Sequence, residues 1–453
     1  MQSKNELLHG WGYAPVAECL SWRPEKQRDL HQLVRANGAV IARGLGRSYG
    51  DATLQPAGVI RTERLDHFID FDTEQGIVRA QAGLSLAELM DFSIPRGWLP
   101  PVIPGTRLVT LGGAFASNIH GKNHFREGDF AEHALSIRLL LADGSVIECS
   151  PAEHGDIFWA TAGGMGMTGI IQDITLKLNP IPSSSLKTTT YRVDSIHDMV
   201  AAFEHYRTTS DYMVGWIDHM ASGEYIGRGV FEAASHISVN EGGKAQQHYQ
   251  PLSSRYSVPC FLPSFVLNRY TMAFYNRLRF KRYSSARSEE IVDFNGFFHP
   301  LDRIDHWYRL YGKRGFFQYQ CLIPETADVI QNLQRFLAAL HEHKLFSYLA
   351  VIKYHRDGKG MLTFPLRGYS IALDFPNTAR VRALVPQINR WVAERGGRVY
   401  LAKDALLSPE QFQHMYSTHA SQWQDVLRDI DPDARFISLM SDRLQWKPWR
   451  TSL

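Results

Sequence analysis

The residues best suited to chemistry gather between Pro104 and His124, in PGTRLVTLGGAFASNIHGKNH. After Leu111 the stretch is rich in small residues: Gly112, Gly113, Ala114, Ala116 and Ser117 come nearly in succession. Small residues in a row let backbone approach something flat or anionic. Asn118, His120, Lys122, Asn123 and His124 then bring polar and ionisable groups within a few residues. A backbone built for close approach that ends in a proton-handling cluster predicts a cofactor wall running into a reaction centre. The plain alternative for His120 is a satisfied histidine in a tight turn. His120 and His124 also have the spacing of metal ligands on a helix face, but Gly121 and the lack of a carboxylate or thiol within the stretch argue against a metal site.

Further stretches carry similar potential. RGLGRSYGD, from Arg43 to Asp51, places Gly44, Gly46 and Gly50 in a loop between two short apolar strands, and its amides could form an anion nest. No helical pattern follows it, so it is not a Rossmann phosphate loop; it is a strand–loop–strand phosphate site or a tight glycine turn. Gly164 to Gly169 matches G-x-G-x-x-G literally, but a helical stretch precedes it and an alternating strand, IIQDITLKL, follows. That order is the reverse of a nicotinamide-dinucleotide site, so such binding is rejected, although the loop could still approach a cofactor. In GGRVYLAKDALLS, Tyr400 and Lys403 stand out; a lysine there is a solvated loop residue or, in a pocket, an anion holder with a shifted pKa.

The elements that must position these groups can be read from pattern. Strands are expected at Ala39–Ala42, at VIRT and at Gly76–Ala82, and a helix is expected to open at the capping box Ser85-Leu86-Ala87-Glu88 and stop before Pro95. ALSIRLLLADGSVIECS reads as a hairpin turning at Asp143-Gly144. Composition changes near Pro180, which sets a first domain boundary. Beyond it YMVGWID, GFFQYQCLIP, FSYLAVIKYH and GYSIALDFP read as strands, with amphipathic helices around His197–Tyr206, Ala327–His341 and Val381–Arg395. The expected fold class is α+β, with residues 1–180 forming one domain, 181–395 a second with an antiparallel sheet, and 396–453 returning to the first.

Composition sets the outer bounds. The chain has 453 residues, 44% hydrophobic and 21% charged, enough for two domains with a large core. A net charge of +3 makes no global case for nucleic acid. Cys19, Cys149, Cys260 and Cys321 lie far apart with no CxxC, which fits a reduced compartment. The N-terminus has no apolar core segment, and no apolar run approaches the ~20 residues that span a bilayer. A cytoplasmic protein is expected, with peripheral contact to a membrane.

That contact is suggested by Gly242 to Ser288, which holds no Asp or Glu. It interleaves Lys244, Arg255, Arg269, Arg277, Arg279, Lys281, Arg282 and Arg287 with Tyr249, Tyr256, Phe261, Phe265, Tyr270, Phe274, Tyr275, Phe280 and Tyr283. It reads either as a partly buried helix with a solvated basic face or as a surface for anionic lipid or a lipid phosphate. Single-stranded nucleic acid is a third, weaker reading.

Taken in order, RGLGRSYGD, PGTRLVTLGGAFASNIHGKNH, FWATAGGMGMTGII and GGRVYLAKD resemble the vanillyl-alcohol-oxidase-type FAD-binding family. Within it they look like the oxidase subunits of decaprenylphosphoryl-β-D-ribose 2′-epimerases. IHGKNH and YxAKD are the most specific of these; the glycine loop is shared by the whole superfamily. The resemblance spans nearly the whole chain and implies a two-domain FAD-binding fold with an antiparallel-sheet substrate domain. It implies that Arg43, Gly44, Leu45, Gly46, Arg47, Ser48 and Tyr49 wrap the FAD pyrophosphate. Pro104, Gly105, Thr106, Thr110, Gly113, Ala116, Asn118, Ile119 and Ile170 would line the path from adenine to flavin. His120, Gly121 and Lys122 would sit beside the ring system, and Tyr400 and Lys403 would return to the flavin and the substrate. Trp216, Phe298, Gln318, Gln320, Lys353 and Ser370 would line the substrate cavity. Two departures stand out. Many members tether FAD through a histidine in the glycine loop, where this chain has Arg47, so non-covalent FAD is expected. Mycobacterial epimerase subunits carry a cysteine two residues before Asp-Phe-Pro, where this chain has Ala372, so a thiol-directed covalent inhibitor would find no target there.

Oxidising a secondary alcohol needs a hydride acceptor and a group to receive the hydroxyl proton. Lys403, His120 and Tyr49 are the available proton-handling groups, with Lys403 and His120 expected to position and polarise the alcohol and the base left open. Lys122 and Lys353 could hold a phosphate. The expected reaction is oxidation of the 2′-hydroxyl of a polyprenyl-phosphoryl ribose, a lipid-linked sugar phosphate. A separate NADH-dependent short-chain reductase would then complete the change to the arabinose. The alternatives are an O2-using oxidase of a free sugar or alditol, and a non-catalytic membrane-surface protein.

Overall fold

The computed structural model describes residues 2–237, 249–254, 256–263 and 265–450. Three sheets carry the architecture. The first has four strands in the order Lys4–His9, Val16–Trp22, Val59–Arg61, Ile41–Arg43, the first pair antiparallel and the other pairs parallel. The second has five antiparallel strands in the order Phe68–Asp72, Ile77–Gln81, Ile170–Lys177, Ala134–Leu140, Val146–Cys149. The third is an eight-stranded antiparallel sheet running Ser288–Asp293, Ser185–Val193, Gly229–His236, Tyr212–Ile217, Ala350–His355, Gly368–Pro376, Phe316–Pro324, Arg398–Val399.

Local signals explain the element boundaries. The Ser85 hydroxyl accepts from the Glu88 amide at 3.1 Å and the Glu88 carboxylate accepts from the Ser85 amide at 2.9 Å, so the capping box opens the helix Leu86–Ser93. A single 3-10 turn then ends at Gly97, whose φ of 82° a side chain would resist. The helix Gly155–Thr161 precedes the G-x-G-x-x-G stretch and the strand Ile170–Lys177 follows it, the order inferred from sequence.

The central strands of the eight-stranded sheet are buried on both faces, and their residues divide by the period of two. From Phe316–Pro324, Phe317, Tyr319, Cys321 and Ile323 enter a core with Phe203, Leu333, Phe336 and Leu340 from the helices Ile196–Tyr206 and Val329–Glu342. Gln318 and Gln320 take the other face. Register then sets Gln318 opposite Asp374, Gln320 opposite Ala372, Lys353 opposite Ser370 and Trp216 opposite Val351. Polar side chains at alternate positions of otherwise apolar central strands thus collect on one face.

The last part of the chain binds the regions together. Arg398–Val399 adds an edge strand to the large sheet, and the helix Pro409–Ile430 lies against Gly155–Thr161, its Trp423 indole donating to the Ala160 carbonyl at 2.9 Å. Trp423 and Trp446 are both fully buried, edge to face at 5.2 Å. Among the described residues, no helix is long and apolar enough to cross a membrane.

Candidate active site

One cavity of about 700 Å³ lies between the glycine-rich segments and the polar face of the large sheet. Its first wall is backbone. Gly44 has no room for a side chain, because a Cβ there would lie 2.2 Å from Thr110 Oγ1. Thr110 in turn caps the helix Leu111–Ala116, and Gly112 hydrogen-bonds its amide to the Ala82 carbonyl at 2.8 Å. The second glycine loop docks on this helix through Met165 N to Ala116 O at 2.9 Å, bringing Met165, Gly166, Gly169 and Ile170 to the same wall.

The C-terminal turn closes the wall from outside. Tyr49 N donates to Ala402 O at 2.9 Å, and a Cβ on Gly50 would sit 1.6 Å from Asp404 O. Arg443 holds the aspartates of the two motifs together, donating to Asp51 at 2.7 and 2.9 Å and to Asp404 at 3.0 Å. The Asp of RGLGRSYGD and the Asp of YLAKD are therefore clamps, and neither lines the cavity.

The second wall is made of side chains from the sheet and from Pro104–His124: Trp216, Gln318, Gln320, Lys353 and Ser370 face His120, Lys122 and Lys403. Lys122 Nζ donates to the Phe297 carbonyl at 2.6 Å and lies 3.8 Å from that ring's centroid. Arg279 covers Trp216 at 4.5 Å. Among the described residues, the charged lining residues are Arg47, Lys122, Arg279, Lys353 and Lys403 against the carboxylate of Glu232. An anionic ligand is what such a lining attracts.

Burial tunes these groups, and neighbouring charges modify its effect. Burial lowers Lys353 to about 7, helped by Lys403 and Lys122. Burial brings Lys403 down to about 8 against the opposing pull of Asp374, and Lys122 to about 8 against Glu232. Asp374 rises to about 6 by burial, although it accepts from Gln318 Nε2 at 2.6 Å and from the Tyr311 hydroxyl at 3.1 Å. Burial, with Asp374 nearby, pushes the Tyr49 phenol well above its ordinary value. Burial first, then Lys353 and the neighbouring histidines, drives His120 well below the usual imidazole range, so it is neutral.

Most expected site residues lie on this cavity, from Gly44 to Tyr49, Pro104 to Thr106, Thr110, Gly113, Ala116, Ile119, His120, Lys122 and Ile170 to Trp216, Phe298, Gln318, Gln320, Lys353, Ser370, Tyr400 and Lys403. Arg43, Asn118 and Gly121 stand behind it. The Arg43 guanidinium lies under Gly46 and donates to Thr53 and to the His9 carbonyl, both at 2.8 Å. Asn118 donates to the Lys359 carbonyl and accepts from the Ala131 amide. Gly121 packs on the Ile103 backbone. Sequence reasoning passed over Trp11, whose ring carries the Arg47 guanidinium at 3.9 Å, and over Trp307, Glu232 and Val351. Alternation along the strands was the available signal for Val351; nothing local marks Trp11. Ala372 lines the cavity, whereas the Cys321 thiol faces the opposite core and is pushed up by burial.

The basic aromatic segment is not one surface. Lys244 and Arg255 lie outside the described residues. Tyr249 is tied to Asp91 at 2.6 Å, and Phe280 packs under Trp216. The helix Arg269–Arg282, capped by Asn268, buries Met272, Asn276 and Phe280, and Tyr275 and Arg279 reach the cavity rim. Tyr270 and Phe274 are 73% and 66% exposed, with Phe265 before the helix at 76%.

A glycine-lined backbone groove with Arg47 at one end and a polar chamber at the other fits a flavin dinucleotide, whose pyrophosphate is anionic and whose ring system is flat. The first wall defines an FAD-dependent oxidoreductase, and residues 22–150 match the family model described as FAD binding domain. The chain is also 33% identical to the decaprenylphosphoryl-β-D-ribose oxidase of Mycolicibacterium smegmatis, over 97% of both chains. It belongs to that family. L-gulonolactone oxidase of Mus musculus is 22% identical over 91% of each chain. Delta(24)-sterol reductase of Rattus norvegicus is 29% identical over 25% of this chain and 22% of its own length.

Proposed function

We propose that this chain oxidises the 2′-hydroxyl of a polyprenyl-phosphoryl-β-D-ribose to the 2′-keto sugar. The observation that carries the reading is the single cavity that joins the glycine-lined groove to a chamber holding Lys122, Lys353 and Lys403, under a rim of aromatic and basic side chains. When bound, FAD supplies the hydride acceptor. The Gly44–Tyr49 and Leu111–Ala116 segments would hold it, and Arg47 would meet its anionic charge without a covalent tether. Lys353 and Lys122 take the sugar phosphate, an anion that favours their protonated forms. Lys403 and His120 hold the reacting hydroxyl, and a lysine near its own pKa can receive the proton. The surrounding Trp216, Phe297 and Phe298 exclude water.

A prenyl chain leaves the bilayer reluctantly, since each buried CH2 is worth ~0.8 kcal/mol. In this reading the helix Arg269–Arg282 rests on anionic lipid at the cytoplasmic face and delivers the head group to the cavity. A separate NADH-dependent short-chain reductase then consumes the keto product. Anaerobic mixing of the holoenzyme with a prenyl-phosphoryl ribose should bleach the flavin, and free ribose or alditols should not. Equal bleaching by the free sugar, or none with the lipid-linked one, refutes the reading. Acid precipitation should leave all yellow colour in the supernatant; colour on the pellet refutes the untethered cofactor.

A further inference from the structure

His355 follows Lys353 on the cavity-facing side of the strand Ala350–His355, yet it lies behind the wall, fully buried. Its Nε2 is 2.7 Å from Ser370 Oγ. Ser370 Oγ is 3.1 Å from Gln320 Nε2, and that nitrogen is 2.9 Å from His120 Nε2. A continuous hydrogen-bonded chain therefore runs His355–Ser370–Gln320–His120. All its members are at most 5% exposed, and each link is a direct contact.

We propose that His355 is a positioning residue that decides, through Ser370 and Gln320, which nitrogen of His120 carries the proton. The inference rests on His120 lying at the reacting hydroxyl in the function proposed above. A neutral imidazole has one donor and one acceptor nitrogen, and an amide has distinct ends. With His355 Nε2 as acceptor, the Ser370 hydroxyl hydrogen goes to it, and the Ser370 oxygen is left to accept. Gln320 then turns its NH2 toward both Ser370 and His120. His120 Nε2 accepts, and its proton sits on Nδ1. With His355 Nε2 as donor, the Ser370 hydroxyl is free to donate to the amide oxygen of Gln320, and His120 must donate from Nε2 to the same oxygen. The two arrangements have opposite polarity along the whole chain.

The Gln320 amide stands as in the first, its Nε2 toward both Ser370 Oγ and His120 Nε2. Gln320 Oε1 and the Nδ1 atoms of His120, His124 and His355 have no protein partner. The His355 ring lies 4.7 Å from that of His124, whose Nε2 is spent on Asp129 Oδ1 at 3.1 Å. With its Nε2 donating to Asp129, His124 keeps only a lone pair on Nδ1. Burial, with His124 and Lys353 near, keeps His355 well below the usual imidazole range and hence neutral, as a tautomer switch requires.

The test compares His355→Phe with His355→Gln in the FAD-loaded protein. Two-bond nitrogen–proton spectra of histidine-labelled resting enzyme should show His120 as the Nδ1–H tautomer in the wild type, and a changed or mixed tautomer in His355→Phe. Substrate-driven flavin reduction should fall by about ten- to a hundredfold in His355→Phe, with substrate Kd and FAD content unchanged, and recover in His355→Gln. An unaltered His120 tautomer in His355→Phe overturns the proposal, as does equal loss of rate in both variants. The spectrum needs no substrate, so it judges this inference even if the proposed substrate proves wrong. Should His355→Phe fail to fold, Ser370→Ala cuts the same chain, and the same His120 signal decides.

Discussion

The two walls of the cavity are built on opposite plans. The groove from Gly44 to Gly113 is shaped by the absence of side chains: glycines stand where a Cβ would meet Thr110, Ala82 or the Asp404 carbonyl. The chamber beside it is shaped by side chains that share a face only because the register of the sheet strands brings them level. The groove tolerates almost no change of volume. The chamber tolerates volume but is sensitive to charge, since Lys122, Lys353 and Lys403 share a poorly solvated space. Errors in the first should therefore cost cofactor and fold, and errors in the second should cost chemistry and substrate binding while the cofactor stays.

The sharpest test of that contrast is Gly50→Ala. Its methyl would land on a backbone carbonyl that cannot rotate away, 1.6 Å distant, and the loop must move off the Leu401–Lys403 turn. A loss of about 3 kcal/mol or more is expected, with FAD lost on gel filtration. Retained flavin with an unchanged melting temperature would break the distinction.

Lys403→Met is the matching change in the chamber. It removes a charge and an amine at similar volume, and the backbone amide that Tyr400 accepts is untouched. Flavin content and thermal stability should hold while substrate-driven flavin reduction slows by about 10²–10⁴-fold. An effect confined to KM would make Lys403 a binding group only.

Outside both walls, reversing Arg277, Lys281 and Arg282 to Glu leaves the buried face Met272, Asn276 and Phe280 intact. Each basic residue near an anionic leaflet adds about 1 kcal/mol, so flotation with anionic liposomes should be lost, as it should in high salt. Activity on the lipid-linked substrate should fall with it, and activity on a short-chain soluble analogue should not. Equal loss on both substrates would assign the helix to the chamber.

The smallest effect is a stability slope. Lys353 titrates near 7 in the folded chain, below the ~10.4 of an exposed lysine. The unfolded state binds more protons across that window, so this group's contribution to stability rises with pH from about 7 to about 10. Lys353→Met should flatten the rise of melting temperature in substrate-free enzyme and lift it at pH 7 by roughly 1–2 °C, while weakening substrate binding. A variant whose slope equals the wild type's would show that the lysines are better solvated than the cavity suggests.

Features that depend on local backbone chemistry are legible in the amino-acid order. The glycine runs, the Ser85 capping box, the Asp143-Gly144 hairpin and the strand-helix alternation are written in neighbouring residues, and the structure forms each where they stand. His120, Lys122 and Lys403 were legible because they sit inside or beside such runs. What the sequence could not settle is which distant residues meet. That Asp51 and Asp404 are held by Arg443, that Tyr249 is pinned to Asp91 while Tyr270 is bare, that Trp11 carries Arg47, and that His355 reaches His120 through two intervening side chains were decided by sheet register and by the return of the C-terminal turn. The reason is physical: backbone preferences act over a few residues, whereas hydrogen bonds between side chains depend on where strands far apart in the chain are packed together.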